Sequence, residues 1–258
     1  MTGLAFFRKE IKEILRTSKI YVLPAIFLFF GLSSPLLAKL MPELLKMAGE
    51  TSEFTIIMKI NPSALDSLQQ FLKNAATGLL AIILVYMGTV LDEKTRGTSI
   101  LVLTKPLKRT TFIWVKFWAA ALLTSFAILL GTVACVYYNM ILWPEQPQIG
   151  LTVQSGLIIL VYGLFLTALT ICASTLASNT MVAAGGAIGA YIIFSILPSF
   201  GKLWVKYTPG GLLTQAGKMI VPVSPLAFSE TLVTMTITLF ATLGLVWVSG
   251  LLFKRQEL

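Results

Sequence analysis

The chain has 258 residues, of which 56% are hydrophobic and only 12% are charged, and its mean hydropathy is +0.85. Soluble domains carry about 45–50% apolar and about 25% charged residues, so this composition excludes a water-soluble domain and predicts an all-α integral membrane protein. The sequence contains no histidine, which excludes Ser-His-Asp and Cys-His catalysis, and its net charge of +9 falls between long apolar runs, which favours membrane orientation over nucleic-acid binding.

The first 19 residues are predicted to form an amphipathic helix that lies in the membrane interface without crossing it. Its apolar and basic residues fall on opposite faces: Leu4, Phe7, Ile11, Ile14 and Leu15 against Arg8, Lys9, Lys12 and Arg16. The segment is too charged to be a cleavable signal peptide. Two interpretations are open, a simple topogenic anchor or an elbow helix that packs against a cytoplasmic partner.

Six apolar runs have about the 20 residues that a helix needs to cross a bilayer. They cover residues 20–38, 74–91, 112–142, 150–177, 180–200 and 230–253. The second run is the shortest, and the third is long enough to tilt or to project. Thirteen Lys and Arg residues fall on the side of the termini and seven on the other side. The positive-inside rule therefore predicts a multi-pass protein of the cell membrane with both termini in the cytoplasm.

Two external loops, residues 39–73 and 201–229, are each predicted to contain a short helix. In the first loop, Asn61-Pro62-Ser63 resembles a helix start, and an apolar stripe follows that would lie on the outer leaflet or over a cavity. In the second loop, residues 212–220 have a helical pattern after Pro209-Gly210-Gly211. These helices are either structural lids or contacts for cargo. The residues concerned are Leu65, Leu68, Phe71, Leu212 and Met219.

Spans four and five are joined only by Ser178-Asn179, which predicts a tight antiparallel hairpin. Small residues recur at a spacing of four along span five, and this spacing is typical of close helix packing. The pairs are Ala183 and Ala187, Gly185 and Gly189, and Gly186 and Ala190.

The inner loop, residues 92–111, has an acidic start, a glycine, a short apolar helix and a basic end that leads into span three. Such a loop can dock in a groove of a soluble partner, with Ile100, Leu101 and Leu103 buried. The alternative is an ordinary positively charged cytoplasmic loop.

At this loop the sequence resembles the ABC-2 family of ABC-transporter membrane subunits, which carries a pattern like E-x-x-x-G-T-x-x-L-L-x-x-P-x-x-R before the third span. The architecture of nearly the whole chain resembles that family as well. In the family, the amphipathic start and this loop contact a separate ATPase. The resemblance implies that the ATPase-coupling residues are Phe7, Arg8, Ile11, Glu93, Gly97, Thr98, Leu101, Leu103, Pro106 and Arg109.

The energy source is expected to lie outside this chain. No GxxxxGK[ST] phosphate-binding motif occurs, and the span centres contain no Asp, Glu, Lys or Arg for ion coupling. We therefore expect a non-catalytic permease half without a cofactor or metal of its own, and ATP and Mg²⁺ bound to two copies of a partner P-loop ATPase.

The expected permease half dimerises in the lipid bilayer and exports an amphipathic or hydrophobic cargo such as a peptide, an antibiotic or a lipid-like molecule. Two alternatives stay open at this stage. One is an ATP-independent carrier or channel, and the other is a membrane anchor that recruits a soluble partner. The sequence leaves open the cargo, the direction of transport and whether the dimer contains two identical chains.

Overall fold

Helices form every regular element of the computed structural model, which describes residues 3–48, 62–95, 108–220 and 228–255. A turn of 3₁₀ helix, Leu197–Phe200, follows α7. The α-helices are α1 (Gly3–Arg16), α2 (Lys19–Ala48), α3 (Ala64–Tyr86), α4 (Leu91–Thr95), α5 (Arg109–Leu142), α6 (Ile149–Leu176), α7 (Thr180–Ile196), α8 (Lys202–Tyr207), α9 (Gly211–Ile220) and α10 (Phe228–Arg255).

Six helical segments are long and apolar enough to cross a membrane, which confirms the predicted number of spans. They are Lys19–Leu44, Ala64–Thr95, Arg109–Leu142, Ile149–Leu176, Thr180–Phe200 and Glu230–Arg255. Around the central α6, the helices α5, α10, α3 and α7 pack together, and α2 packs against α5 and α3. Between α2 and α5 the backbones touch, because a Cβ atom on Gly31 would collide with the carbonyl of Gly131.

The second span was predicted to be the shortest. It is instead 32 residues long, because the helix expected in the first external loop is continuous with it. The helix begins after Ser63, not after Asn61, because the Asp66 carboxylate accepts hydrogen bonds from the Ser63 amide at 2.8 Å and hydroxyl at 2.7 Å. Ser67 donates to Asn139 of α5 at 2.7 Å. These contacts hold the start of α3 within the bundle.

The two helices predicted in the external loops both pack one face against the rest of the protein. Leu68 and Phe71 of α3 and Leu212 of α9 are fully buried, while Leu65 and Met219 are half-buried against the same core. The turn before α9 requires glycine, because a Cβ atom on Gly210 or Gly211 would collide with a backbone carbonyl. The apolar stripe of α9 turns back and packs against α6 and α3. A role of the two helices as lids or as contacts for cargo stays a prediction.

The hairpin between α6 and α7 is present, but α7 packs through only part of its small-residue pattern. Asn179 caps α7 by accepting a hydrogen bond from the Val182 amide at 2.8 Å. Ala183 and Ala187 are the buried residues of this helix. Gly185, Gly186 and Gly189, in contrast, have open space beside them, so their predicted packing within the hairpin was wrong.

Candidate functional site

The first helix packs against one end of the bundle through a face that the apolar pattern did not reveal. Phe6 and Glu10 are its buried residues, whereas Leu4 and Leu15 of the predicted apolar face are 65% and 53% exposed. The Phe6 ring stacks on Phe112 of α5 at 5.3 Å between centroids, and Phe112 stacks on Phe253 of α10 at 5.1 Å. Three helices are thereby joined at this end.

Next to this aromatic stack lies a charge cluster made of Lys9, Glu10 and Glu13 of α1, Glu93 of α4 and Lys116 of α5. The Lys9 ammonium lies 2.6 Å from the Glu93 carboxylate, 2.8 Å from Glu13 and 3.0 Å from Glu10. The Lys116 ammonium lies 3.1 Å from Glu10 and 3.1 Å from Glu93. The cluster therefore connects α1, α4 at the start of the predicted inner loop, and α5, the third span.

Burial makes the charge cluster sensitive to the loss of Lys116, Glu10 or Glu93. The Lys116 side chain is 1% exposed and those of Glu10 and Glu93 are 7% and 10% exposed. Removing one partner from a buried ion pair leaves a charge without compensation, which costs about 3–5 kcal/mol. The Lys116 ammonium also lies 5.1 Å from the centre of the Phe112 ring, an additional favourable contact for a cation.

The charges on the α1 side of the cluster are held in their ionised forms. Burial by itself lowers the pKa of Lys9, but its hydrogen bonds to Glu13 and Glu93 and the nearby Glu10 outweigh this effect and raise that pKa above its ordinary value. Burial raises the pKa of Glu13, and the hydrogen bond from Lys9 outweighs it and lowers that pKa overall. Lys9 and Glu13 are thus both charged at neutral pH.

The segment between α3 and α4 is tied to two other spans. The amides of Val90 and Leu91 each donate a hydrogen bond of 3.2 Å to the Ser174 hydroxyl of α6. The Tyr86 hydroxyl donates to the Ala120 carbonyl of α5 at 3.0 Å. These contacts give the entry of the inner loop a defined position relative to α5 and α6.

A cavity of about 30 Å³ adjoins the charge cluster and is suited to water rather than to a metal ion. Its lining includes Glu10, Glu13, Lys19, Thr89 and Lys116. A cavity of this size holds roughly one or two water molecules, and water would supply a partner for the Thr89 hydroxyl, which has none among the described residues.

Carboxylate oxygens of Glu10, Glu13 and Glu93 lie within 4.8 Å of one another, a spacing that a metal ion can bridge. The ammonium groups of Lys9 and Lys116 already contact these carboxylates and supply the compensating positive charge. The donor set therefore does not fit a metal.

The structure places the predicted coupling residues in several different environments. Glu93 is turned inward into the charge cluster, Arg8 is exposed, and Phe7 and Ile11 are half-buried. The Arg109 guanidinium donates to the carbonyl of Lys254 at 3.3 Å. Five further coupling residues lie outside the described part of the chain: Gly97, Thr98, Leu101, Leu103 and Pro106.

Lys116 was counted among the thirteen cations on the side of the termini, but it lies within the third span. The overlooked signal was a single lysine flanked by apolar and aromatic residues on both sides, in the sequence Trp114-Val115-Lys116-Phe117-Trp118. A cation in such a position needs an anionic partner from another segment. The glutamates of α1 and α4 are those partners.

Six helices long and apolar enough to cross a membrane define a multi-pass membrane protein. Residues 4–258 match the family described as "ABC-2 family transporter protein", and the chain belongs to that family. The chain is also similar to the "Uncharacterized transmembrane protein YxlG" of Bacillus subtilis (strain 168), at 23% identity over 219 residues that cover 84% of each protein. The resemblance seen at the inner loop is thus confirmed, and the chain is a membrane transport subunit.

Proposed function

We propose that this chain is the membrane-spanning half of an ATP-driven exporter in the cell membrane, with both termini in the cytoplasm. Two halves assemble with two copies of a separate P-loop ATPase, which binds ATP and Mg²⁺. The observation that carries the proposal is the charge cluster, in which Glu93 at the start of the inner loop is bonded to both α1 and the third span.

The charge cluster provides a physical route for coupling. Glu93 contacts Lys9 at 2.6 Å and Lys116 at 3.1 Å, so α4 cannot move without α1 and α5 unless buried ion pairs break. The inner loop connects α4 to α5, and the segment before α4 is hydrogen-bonded to α6. An ATPase that pushes on this loop would therefore move several spans together as a rigid unit.

The proposed ATPase-contacting surface consists of the inner-loop residues Gly97, Thr98, Leu101, Leu103, Pro106 and Arg109. Glu93 is assigned a positioning role, because its carboxylate is bonded to two lysines of this chain. Phe7 and Ile11 are half-buried, and Arg8 lies beside exposed leucines, so their position suits the lipid interface better than a soluble ATPase.

The second permease half is proposed to pack on the open face of α7. Gly185, Gly186 and Gly189 have no atoms within 4 Å of a Cβ position, and small residues let two helix backbones approach closely. We expect Gly189→Cys to form a disulfide-linked dimer in membranes. Phe240→Cys, on the exposed side of α10, is the control. Crosslinking through the control position alone would place the second copy elsewhere.

The cargo is proposed to be amphipathic or hydrophobic. The charge cluster lies at one end of the spans, and the buried polar side chains of α10 are neutral hydroxyl groups. Two of these, Thr238 and Thr242, donate to backbone carbonyls one turn earlier at 2.7 and 2.8 Å. A pathway lined by such residues offers apolar surface and weak polar contacts, which suits a lipid-like molecule or hydrophobic peptide better than a small ion.

The test is affinity purification of the full chain from membranes, followed by identification of the co-purified P-loop ATPase and measurement of its ATP hydrolysis. Arg109→Ala is expected to weaken ATPase association, and Glu93→Ala to reduce both association and cargo-stimulated hydrolysis. Unchanged values for both variants would contradict the proposed coupling. Transport by the purified chain alone in liposomes would support a carrier or channel, and ATPase binding without any transport would support an anchor.

A further inference from the structure

The first helix packs against α5 and α2 near the ends of those two helices. At its start, Gly3 lies against Thr111 and Phe6 against Phe112, both in the first turn of α5. At its end, only Thr17 and Ser18 separate α1 from α2, a candidate span that begins at Lys19. The helix, about 20 Å long, therefore lies beside the ends of two candidate spans, α2 and α5.

The helix has an outer face that the protein leaves uncovered. The outer face consists of Leu4, Arg8, Lys12, Leu15 and Arg16, all of which are exposed. At 100° per residue, Leu4, Arg8 and Leu15 project within about 40° of one another, and Lys12 and Arg16 follow at about 80° and about 120° from Leu4. The outer face is therefore an apolar stripe with a basic border.

The cations of the outer face differ from Lys9 in having no carboxylate partner. Lys9 makes three ion pairs within the charge cluster. Arg8, Lys12 and Arg16 make no ion pair with any carboxylate in the described part of the chain. Three uncompensated positive charges at the membrane boundary attract negative groups located at the same level.

We propose that the outer face of α1 binds anionic phospholipids, with Leu4 and Leu15 entering the acyl boundary and Arg8, Lys12 and Arg16 contacting the phosphate groups. Exposed leucines beside exposed cations match a phospholipid, which offers acyl chains next to a negatively charged phosphate group. Negatively charged leaflets attract basic residues at the interface by about 1 kcal/mol each. The proposal does not depend on an ATPase or on the cargo.

The experiment is native mass spectrometry of the full-length protein in detergent supplemented with equal amounts of phosphatidylglycerol and phosphatidylcholine. The wild-type chain is expected to retain phosphatidylglycerol preferentially. Each charge removed should weaken that retention by about fivefold, so the variant Arg8→Gln/Lys12→Gln/Arg16→Gln should lose roughly a hundredfold. The matched control, Lys39→Gln/Lys202→Gln/Lys218→Gln, removes three exposed cations at the opposite end and should retain the lipid as the wild type does.

Three results would overturn the proposal. They are equal binding of both lipids by the wild type, retention of phosphatidylglycerol by the outer-face variant at the wild-type level, and a loss by the control as large as that of the outer-face variant. ATPase association is measured in the same preparations. If the outer-face variant loses lipid retention and keeps ATPase association, the lipid site is supported. If the variant loses ATPase association and keeps lipid retention, the outer face contacts the ATPase and the lipid site is refuted. Equal melting temperatures of the three proteins establish that each variant is folded.

Discussion

Lys116 is the residue of the charge cluster whose loss should have the clearest effect. In the variant Lys116→Met, the cluster keeps three carboxylates and only one ammonium group, that of Lys9. Glu10 and Glu93 then keep their contacts with Lys9 at 3.0 and 2.6 Å and lose those with Lys116 at 3.1 Å. We expect α1 to separate from α5 more often, because its docking now buries unbalanced negative charge.

The magnitude follows from burial. Removing one partner of a buried ion pair costs about 3–5 kcal/mol, and the remaining contacts to Lys9 place the expected cost near the lower end. A cost of about 3 kcal/mol corresponds to roughly a hundredfold increase in the population of the open state. Replacing Glu10 and Glu93 with glutamine in the same protein removes the unbalanced charges, so this triple variant should regain most of the lost stability.

Hydrogen–deuterium exchange of the α1 amides measures this opening directly in detergent or nanodiscs. Lys108→Met is the matched control, because Lys108 is exposed and its side chain makes no capping hydrogen bond. We expect exchange in the control to stay within about threefold of the wild type. If Lys116→Met and Lys108→Met exchange α1 at the same rate, the charge cluster does not hold α1 in place.

Three further variants or conditions test other contacts. Ser174→Ala should leave two amides at the start of α4 without their acceptor, which costs about 1–3 kcal/mol and should accelerate the hydrogen exchange of these amides. Unchanged protection of the two amides would refute the contact. Gly211→Ala should lower the yield of folded protein because its Cβ atom meets a backbone carbonyl, whereas Gly217→Ala in the same helix meets nothing and should be tolerated. At pH values below about 4.5, protection of the α1 amides should decrease because Glu13, with its lowered pKa, takes up a proton. At pH values above about 10.5, protection should decrease because Lys9, with its raised pKa, loses a proton. Protection that stays unchanged both below about pH 4.5 and above about pH 10.5 would contradict the ion pairs.

The number of spans was predictable because crossing a membrane is a local requirement. About 20 consecutive apolar residues satisfy it, whatever the rest of the chain does. The start of α3 was also predictable from the local sequence, because Ser63 and Asp66 form a capping box. The prediction instead took Asn61-Pro62 as the start of the helix. Burial of the two helices expected outside was not predictable in this way, since an apolar stripe looks the same whether it faces lipid or another helix.

The composition and order of residues by themselves determined that this chain is a six-span helical membrane protein with a basic interface helix and a loop like that of ABC-2 transport subunits. Only the tertiary structure decided which charges meet. Glu10 and Lys116 are 106 positions apart in the chain, and Lys9 and Glu93 are 84 apart. Such pairs form only because α1 folds back onto α5 and the end of the second span, where burial makes each charge depend on its partners.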